Sequence, residues 1–379
     1  MKKLYSNLPK TLVAPVARLT APLALMLSLG LTLSLAFMAG GCSNQLAKLA
    51  QDKDGGSSYS GSQSVLSVVN WNLQTFFDAN KSGLEYSDFQ KTANWNSQKY
   101  GERLQRLGQA ISQLDADLYI FEEIENEDVI YDISNELAAN GHNWNQRKFW
   151  NYSVFAKDPG AAIGIGILSR YPLSDVKSHS MDIRIHPSAQ PSARYILEAT
   201  ASINDKPLII LANHWKSKSG GEEKSQIWRD WQENLLGKRL AELKNENDGS
   251  LPACIICGDF NRDATEFFCN LKNQPFYLSD QENTILRFAG FDDTGYISVN
   301  SLWFTDSASF ASEKGSYYYD DKWERIDNIF TAGDIRVIDF EPCSNPPWAS
   351  AQGIPIAYKI YSGQGWSDHL PLAAKMILP

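Results

Sequence analysis

The stretch Ala253-Cys254-Ile255-Ile256-Cys257-Gly258-Asp259-Phe260-Asn261 opens as an apolar run and closes on an acid and an amide two residues apart. A short apolar run bounded by polar residues reads as a strand buried on both faces. Cys254 and Cys257 have the C-x-x-C spacing of redox and zinc sites. Residues three apart on a strand face opposite ways, however, so one metal does not easily take both. Asp259 and Asn261 share a face on an extended chain, where an acid beside an amide can orient a water and hold an anionic oxygen.

The same arrangement recurs outward from this stretch. The run Leu208 to Ala212 ends at Asn213-His214, and Val65 to Val69 ends at Asn70-Trp71-Asn72. Leu118 to Phe121 ends at Glu122-Glu123, while Arg325-Ile326-Asp327 and Trp366-Ser367-Asp368-His369 each border a further apolar run. Each island has a plain reading: Asn72 as a turn former, Glu123 as a surface acid in the acidic segment 122–128, His214 as a strand cap. Together they place carboxylates, amides and two of the five histidines at strand ends. That is how a metal-assisted hydrolytic site is assembled from distant sequence. Glu123 is a hard oxygen donor suited to Mg²⁺ or Mn²⁺. Asp327 has the chemistry to buttress a histidine and fix its tautomer, and Asp368-His369 supplies that histidine.

Helical spacing appears over 96–114 (Leu104, Leu107, Ile111, Leu114) and again at Val129, Ile130, Ile133 and Leu137. A third helix is predicted over 225–244 with Ile227, Trp228, Trp231, Leu235 and Leu240 inward. Residues 265–324 show no clean period. Strands and helices alternate without a parallel βαβ rhythm, which predicts two packed sheets with outer helices rather than a Rossmann fold.

Hydrophobic content of 43% and aromatic content of 12% over 379 residues exclude a disordered chain. The net charge is −9, and removal of residues 1–41 with their four basic side chains would leave −13. Such a chain is a poor general nucleic-acid coat, although a nuclease whose metal offsets phosphate charge is not excluded. No charge stands between Arg18 and Lys48, and the Leu/Ala-rich span 21–38 leads into Ala39-Gly40-Gly41-Cys42. Residues 1–41 therefore read as a lipoprotein signal peptide with Cys42 as the lipidated residue, against the rival of an uncleaved membrane anchor. Residues 42–64 form a Gly/Ser-rich tether with a reach of roughly 25 Å, and a folded domain occupies 65–379. The expected location is the bacterial cell envelope, lipid-anchored, with Ser43 favouring the outer membrane. Export makes disulfides available to Cys254, Cys257, Cys269 and Cys343, with buried thiols as the alternative.

In this order the motifs resemble the endonuclease/exonuclease/phosphatase superfamily, the DNase I-like metal-dependent phosphohydrolases. The resemblance spans about residues 65–379 and rests on "WNLQ" at Asn72, "FEEIEN" at Glu123, "GIGILSRYP", "LANHWKSK" at His214, "GDFN" at Asp259 and Asn261, "RIDNIF" at Asp327 and "WSDHLP" at Asp368 and His369. It implies an α+β fold, a four-layer α/β/β/α sandwich of two packed, mainly antiparallel sheets with outer helices. It implies Mg²⁺ (or Mn²⁺) at Glu123 with help from Asn72 and Asp368. Asp259 would activate water, Asn261 would hold phosphate, and His214 and His369, the latter paired with Asp327, would contact phosphoryl oxygens. Two departures stand out: Gln74 where some nucleases carry an acid, and Asn328 where the motif often has Tyr. The favoured activity is an exported nuclease with nucleic acid as substrate and no obligate protein partner. Rival readings are a phospholipid-headgroup phosphodiesterase and an inactive surface adhesin. Lys216, Lys218 and Lys224 are candidate phosphate contacts. Trp303-Phe304, Tyr317-Tyr318-Tyr319, Trp348 and Trp366 are candidate stacking groups.

Overall fold

The computed structural model of the protein describes residues 65–139, 149–180, 194–267, 284–287, 296–305 and 314–379. Residues 1–41, read as a signal peptide, Cys42, the tether read over 42–64, and Cys269 lie outside them. The described chain runs β1 (Val65–Phe76), α1 (Ser97–Leu114), β2 (Leu118–Ile124), α2 (Glu127–Ala139), β3 (Tyr152–Ala156), β4 (Gly164–Ser169), β5 (Leu173–His179), β6 (Ile196–Ile203) and β7 (Lys206–His214). It continues through α3 (Glu222–Glu246), β8 (Cys254–Asp259), β9 (Thr284–Arg287), β10 (Tyr296–Ser301), α4 (Leu302–Thr305), β11 (Tyr317–Tyr319), β12 (Lys322–Glu324), β13 (Asp327–Ala332), β14 (Arg336–Pro342) and β15 (Leu372–Ile377).

Two sheets result, ordered β14-β15-β1-β2-β4-β3 and β5-β6-β7-β8-β13-β10-β9, with β11 and β12 forming a separate hairpin. The pairs β1–β2 and β7–β8 are parallel, and the other pairings are antiparallel. Side chains alternate between two apolar layers along each central strand. Val68, Ile120, Ile210, Ile255, Cys257 and Ile329 fill the layer between the sheets. Val69, Trp71, Tyr119 and Phe121 meet α1 and α2 on the outer face of the first sheet. Leu211, Cys254 and Ile256 meet Leu236, Leu240 and Leu243 of α3 on the outer face of the second. This is the α/β/β/α sandwich expected from the sequence. Cys254 and Cys257 enter different layers, and both are buried free thiols, as is Cys343.

Helix α1 starts where the Asn96 side chain accepts the Lys99 N–H at 3.1 Å. It stops at Asp115, whose left-handed backbone (φ 51°) returns its N–H to Ile111 O. Helix α3 departs from its predicted inward face. Ile227 is exposed, and of the five residues assigned inward Leu240 alone is buried. Charged and amide groups share the buried face with Leu236, Leu240 and Leu243: Arg229, Gln232, Glu233 and Arg239. Each finds a fixed partner, as with Arg239 Nε and Glu198 Oε2 at 2.7 Å, so polar residues occupy a face that an apolar period cannot reveal. Residues 265–324, read as irregular, contain β9 to β12 and α4. Among the described residues no helix is long and apolar enough to cross a membrane.

Parallel pairing of β7 with β8 sets Asn213 opposite Gly258 and His214 opposite Asp259. Gly258 has φ 143°, and a Cβ there would lie 1.9 Å from Asn213 O. The close approach of the two backbones thus requires glycine. Gly258→Ala is expected to lower unfolding free energy by at least about 3 kcal/mol, read from urea denaturation followed by tryptophan fluorescence. A loss under about 1 kcal/mol would refute this account of the approach.

Candidate active site

The strand ends that bear the polar islands converge at one edge of the sandwich. In the first sheet the register of β1 on β2 passes from Asn72↔Glu122 to Phe76↔Ile124, so three residues of β1 face one of β2. The bulge is built from left-handed residues: Gln74 (φ 51°), Thr75 (φ 52°) and, on β2, Glu123 (φ 63°). Non-glycine residues hold such angles only where surroundings enforce them, and bulges re-aim side chains beside functional sites. Here the bulge separates two neighbouring acids. Glu122 turns into the interior, fully buried and 3.5 Å from Asn70 Nδ2. Glu123 turns to the cavity, where its Oε2 accepts the Thr75 N–H at 2.6 Å and its Oε1 stands 3.7 Å from His214 Nε2.

The second sheet supplies the facing groups. Asp259 Oδ2 accepts from Asn72 Nδ2 at 3.0 Å, and its Oδ1 accepts the Asn261 N–H at 2.8 Å. His214 Nε2 lies 3.6 Å from Asp259 Oδ2. Asn261 (φ 48°) donates from Nδ2 to Trp215 O at 3.2 Å. Asp327 is the antiparallel partner of Asp259 on β13 and bonds His369 Nδ1 through Oδ2 at 2.8 Å. The loop carrying His369 is tied to β1: Ser367 Oγ donates to Asn72 O at 2.6 Å and accepts the His369 N–H at 3.0 Å. Trp71 Nε1 donates to His369 O at 3.0 Å. The Tyr317 ring, 4.8 Å from the imidazole, covers its other side.

An open cavity of about 520 Å³ is lined by Glu123, His214, Asp259, Asn261, Asp368 and His369, with Lys218, Glu222, Tyr317, Tyr319 and Glu324 on its walls. Asn72 and Asp327 stand directly behind it, each 1% exposed. All eight residues read from the sequence therefore meet in one place, six at the surface and two in support. Asn72 presents its NH₂ to Asp259, and its Oδ1 accepts the Gln74 N–H at 2.9 Å. Lys218 reaches the cavity, where its ammonium lies 3.2 Å from both Glu222 and Glu324. Neither Lys216 nor Lys224 lines it. Trp303 is unavailable for stacking, since it is buried in the inter-sheet layer and donates Nε1–H to Asp327 O at 2.9 Å. Trp348 is likewise buried. Gln74, in the position where an acid was noted as missing, accepts the Tyr358 N–H through Oε1 at 2.6 Å. Asn328 accepts from Ser301 Oγ at 2.9 Å in the interior.

The electrostatics differ sharply among the three buried titrating groups that line the cavity. Burial, reinforced by Asp327, pushes the Asp259 carboxyl well above the usual carboxylate range. Burial opposes charge on His369 as well, but the Asp327 carboxylate and its hydrogen bond outweigh it and hold the imidazole well above its ordinary value. Burial, with Arg194 and His369 nearby, drives His214 well below its ordinary value and keeps it neutral. Donor atoms of Asp259, Asp327 and His369 lie within 4.8 Å of one another, so this buried trio is able to hold a metal. The cavity wall itself carries Glu123, Asp259, Glu222, Glu324 and Asp368 against the one lining lysine, Lys218. Hard oxygen donors in such excess fit a divalent cation.

Residues 67–338 match the sequence model described as Endonuclease/Exonuclease/phosphatase family. Among solved structures, ANGEL2, described as a 2′,3′-cyclic phosphatase, superposes with a TM-score of 0.54 at 12% identity, covering 83% of this chain and 96% of that one. TDP2 from Caenorhabditis elegans gives 0.49 at 14% identity over 83% and 75% of the two chains. An endonuclease/exonuclease/phosphatase family protein from Bacteroides thetaiotaomicron gives 0.47 at 13% over 84% and 99%. At 12% identity the ANGEL2 likeness shows the fold alone. No curated protein matches the chain.

The His369 imidazole is expected to stay protonated well above its ordinary titration range. Asp327→Asn removes the group that raises it, so the proton should leave at lower pH. NMR titration of the His369 ring protons checks this, and an unmoved titration would show that Asp327 does not hold the charge.

Proposed function

This chain belongs to the endonuclease/exonuclease/phosphatase family of phosphoester hydrolases, and from that premise we propose that it is an exported, lipid-anchored, Mg²⁺-dependent phosphodiesterase that cleaves nucleic acid. The observation that carries the reading is the convergence of Glu123, His214, Asp259 and His369 on one cavity, with Asp327 bonded to His369 at 2.8 Å behind it.

Mg²⁺ keeps several waters and takes few protein oxygens. The Asp259–Asp327–His369 trio is buried, and two of its members are already bonded to each other. Glu123 Oε1 and Asp368, on the cavity wall, are the better holders for that reason. When bound, the ion supplies a Lewis acid that offsets phosphoryl charge. Asp259, clamped by Asn72 and the Asn261 N–H and raised toward neutrality, receives the proton of the attacking water. Asn261 offers its amide to a phosphoryl oxygen. His369, kept cationic by Asp327, donates from Nε2 to the oxygen on which charge develops. Neutral His214 contributes a hydrogen bond without adding charge.

Nucleic acid is favoured over a headgroup because Tyr317 and Tyr319 stack 6.3 Å apart with 12° between planes beside the cavity, a face suited to a base. Residues 1–41 with Cys42 support export and attachment at the cell envelope, with the outer membrane as the favoured site. The test uses the full chain in detergent with Mg²⁺ or Mn²⁺ on plasmid DNA, RNA, sphingomyelin and a bis-aryl phosphodiester. Nucleic-acid cleavage is expected, abolished by EDTA and reduced about 10²–10⁴-fold in His369→Ala. Cleavage confined to sphingomyelin would move the assignment to lipid headgroups. Turnover unaffected by His369→Ala would remove the assigned site.

A further inference from the structure

We propose that Arg103 of α1 is a positioning residue: its guanidinium holds the β1 bulge in the one shape that delivers the Thr75 N–H to Glu123, and so fixes the Glu123 carboxylate toward the cavity. The inference rests on the reading of Glu123 as an ion holder.

The bulge creates a problem of its own. Left-handed backbone at Gln74 and Thr75 turns their carbonyls out of the sheet ladder, and the local donors, Thr75 Oγ1 to Gln74 O at 2.7 Å and the Phe77 N–H to Thr75 O at 3.0 Å, fill one lone pair of each. Arg103, 2% exposed, adds a second donor to each and also reaches the buried Leu73 carbonyl. Its Nη2 donates to Leu73 O at 2.6 Å and Gln74 O at 2.7 Å, and its Nη1 donates to Thr75 O at 3.0 Å. Three successive carbonyls are thus gathered by one planar fork, a geometry that lysine cannot reproduce. The fork is fixed in turn between rings, 4.5 Å from the Phe76 centroid and 3.8 Å from that of Tyr358. Burial lowers the guanidinium pKa to about 9, so the group remains a cation at neutral pH. Its charge acts on both Glu123 and Asp368.

With the carbonyls drawn to α1, the opposite edge of the same peptides faces the site. The Thr75 N–H reaches Glu123 Oε2 at 2.6 Å, which leaves Oε1 toward His214. Gln74, from the same bulge, accepts the Tyr358 N–H, so the segment that supplies the upper ring is joined to it too. Arg103 touches none of the cavity wall and acts through Glu123.

The test compares the full chain in detergent as wild type, Arg103→Lys and Glu123→Gln. Three readouts are taken: thermal midpoint, Mn²⁺ affinity from the free-ion electron paramagnetic resonance signal, and hydrogen exchange at the Thr75 amide by NMR without metal. Arg103→Lys is expected to weaken Mn²⁺ binding about 10-fold, speed Thr75 exchange by a similar factor and lower kcat more than it raises KM. If Arg103→Lys does not fold, Tyr358→Leu, which removes a ring from the fork and leaves its donors, should move the same readouts in the same direction. A folded variant with wild-type Mn²⁺ affinity and wild-type Thr75 exchange overturns the proposal. Glu123→Gln separates the premises: if it weakens Mn²⁺ binding while the Arg103 variant does not, this proposal alone fails. If Glu123→Gln also leaves Mn²⁺ affinity unchanged, the reading of Glu123 falls and takes the proposal with it.

Discussion

The amide–carboxylate hydrogen bond from Asn72 to Asp259 crosses from one sheet to the other at 3.0 Å, and the working edge of the sandwich depends on it. Each sheet holds only part of the chemistry. The first brings Glu123 on β2, and the second brings His214, Asp259 and Asp327 on β7, β8 and β13. Because both partners are buried, breaking the bond would strand an acid and an amide in a poorly hydrated layer. The two halves are therefore held in one registry by a contact that also orients the proposed general base.

Around this contact the protein uses buried charge as scaffold. Arg262, one residue after Asn261, is paired with Glu233 and Asp230 of α3 and lies 5.6 Å from the Trp215 ring centroid. Arg239 joins α3 to Glu198 of β6. Such pairs gain little net stability because both charges leave water, but losing one partner is costly, at about 3–5 kcal/mol. Their value here is directional. A helix packed through guanidinium forks can sit in one rotation about its axis, whereas a purely apolar stripe tolerates several.

The strands of the site were readable because their composition changes abruptly at the active edge. In β7, β8 and β13 apolar runs stop or start at His214, Asp259 and Asp327, and the structure has those strands end or begin at these residues. Helix α1 was readable from its leucine and isoleucine spacing. Helix α3 is legible in the sequence but its rotation is not, since its aromatic residues mimic a core face while the long polar ones find partners on distant elements. The bulges at Gln74, Thr75 and Glu123 left no local mark, as none of the three is glycine. Arg103 was equally hidden: on an amphipathic helix an arginine reads as solvent-facing until three carbonyls 30, 29 and 28 residues earlier are seen to meet it. The Tyr317–Tyr319 hairpin carries no period long enough to detect.

The first strand and the last share more than a ladder. β1 pairs with β15, Trp71 reaches the backbone of His369 across 298 positions, and Ser367 closes on Asn72 across 295. A chain emerging from the ribosome can form its bulge, its helices and most of its second sheet while this corner stays open. Competence consequently waits on the segment 366–369, which follows every other residue of the site along the chain. A phosphoester hydrolase built this way stays catalytically incomplete until that segment has docked on β1.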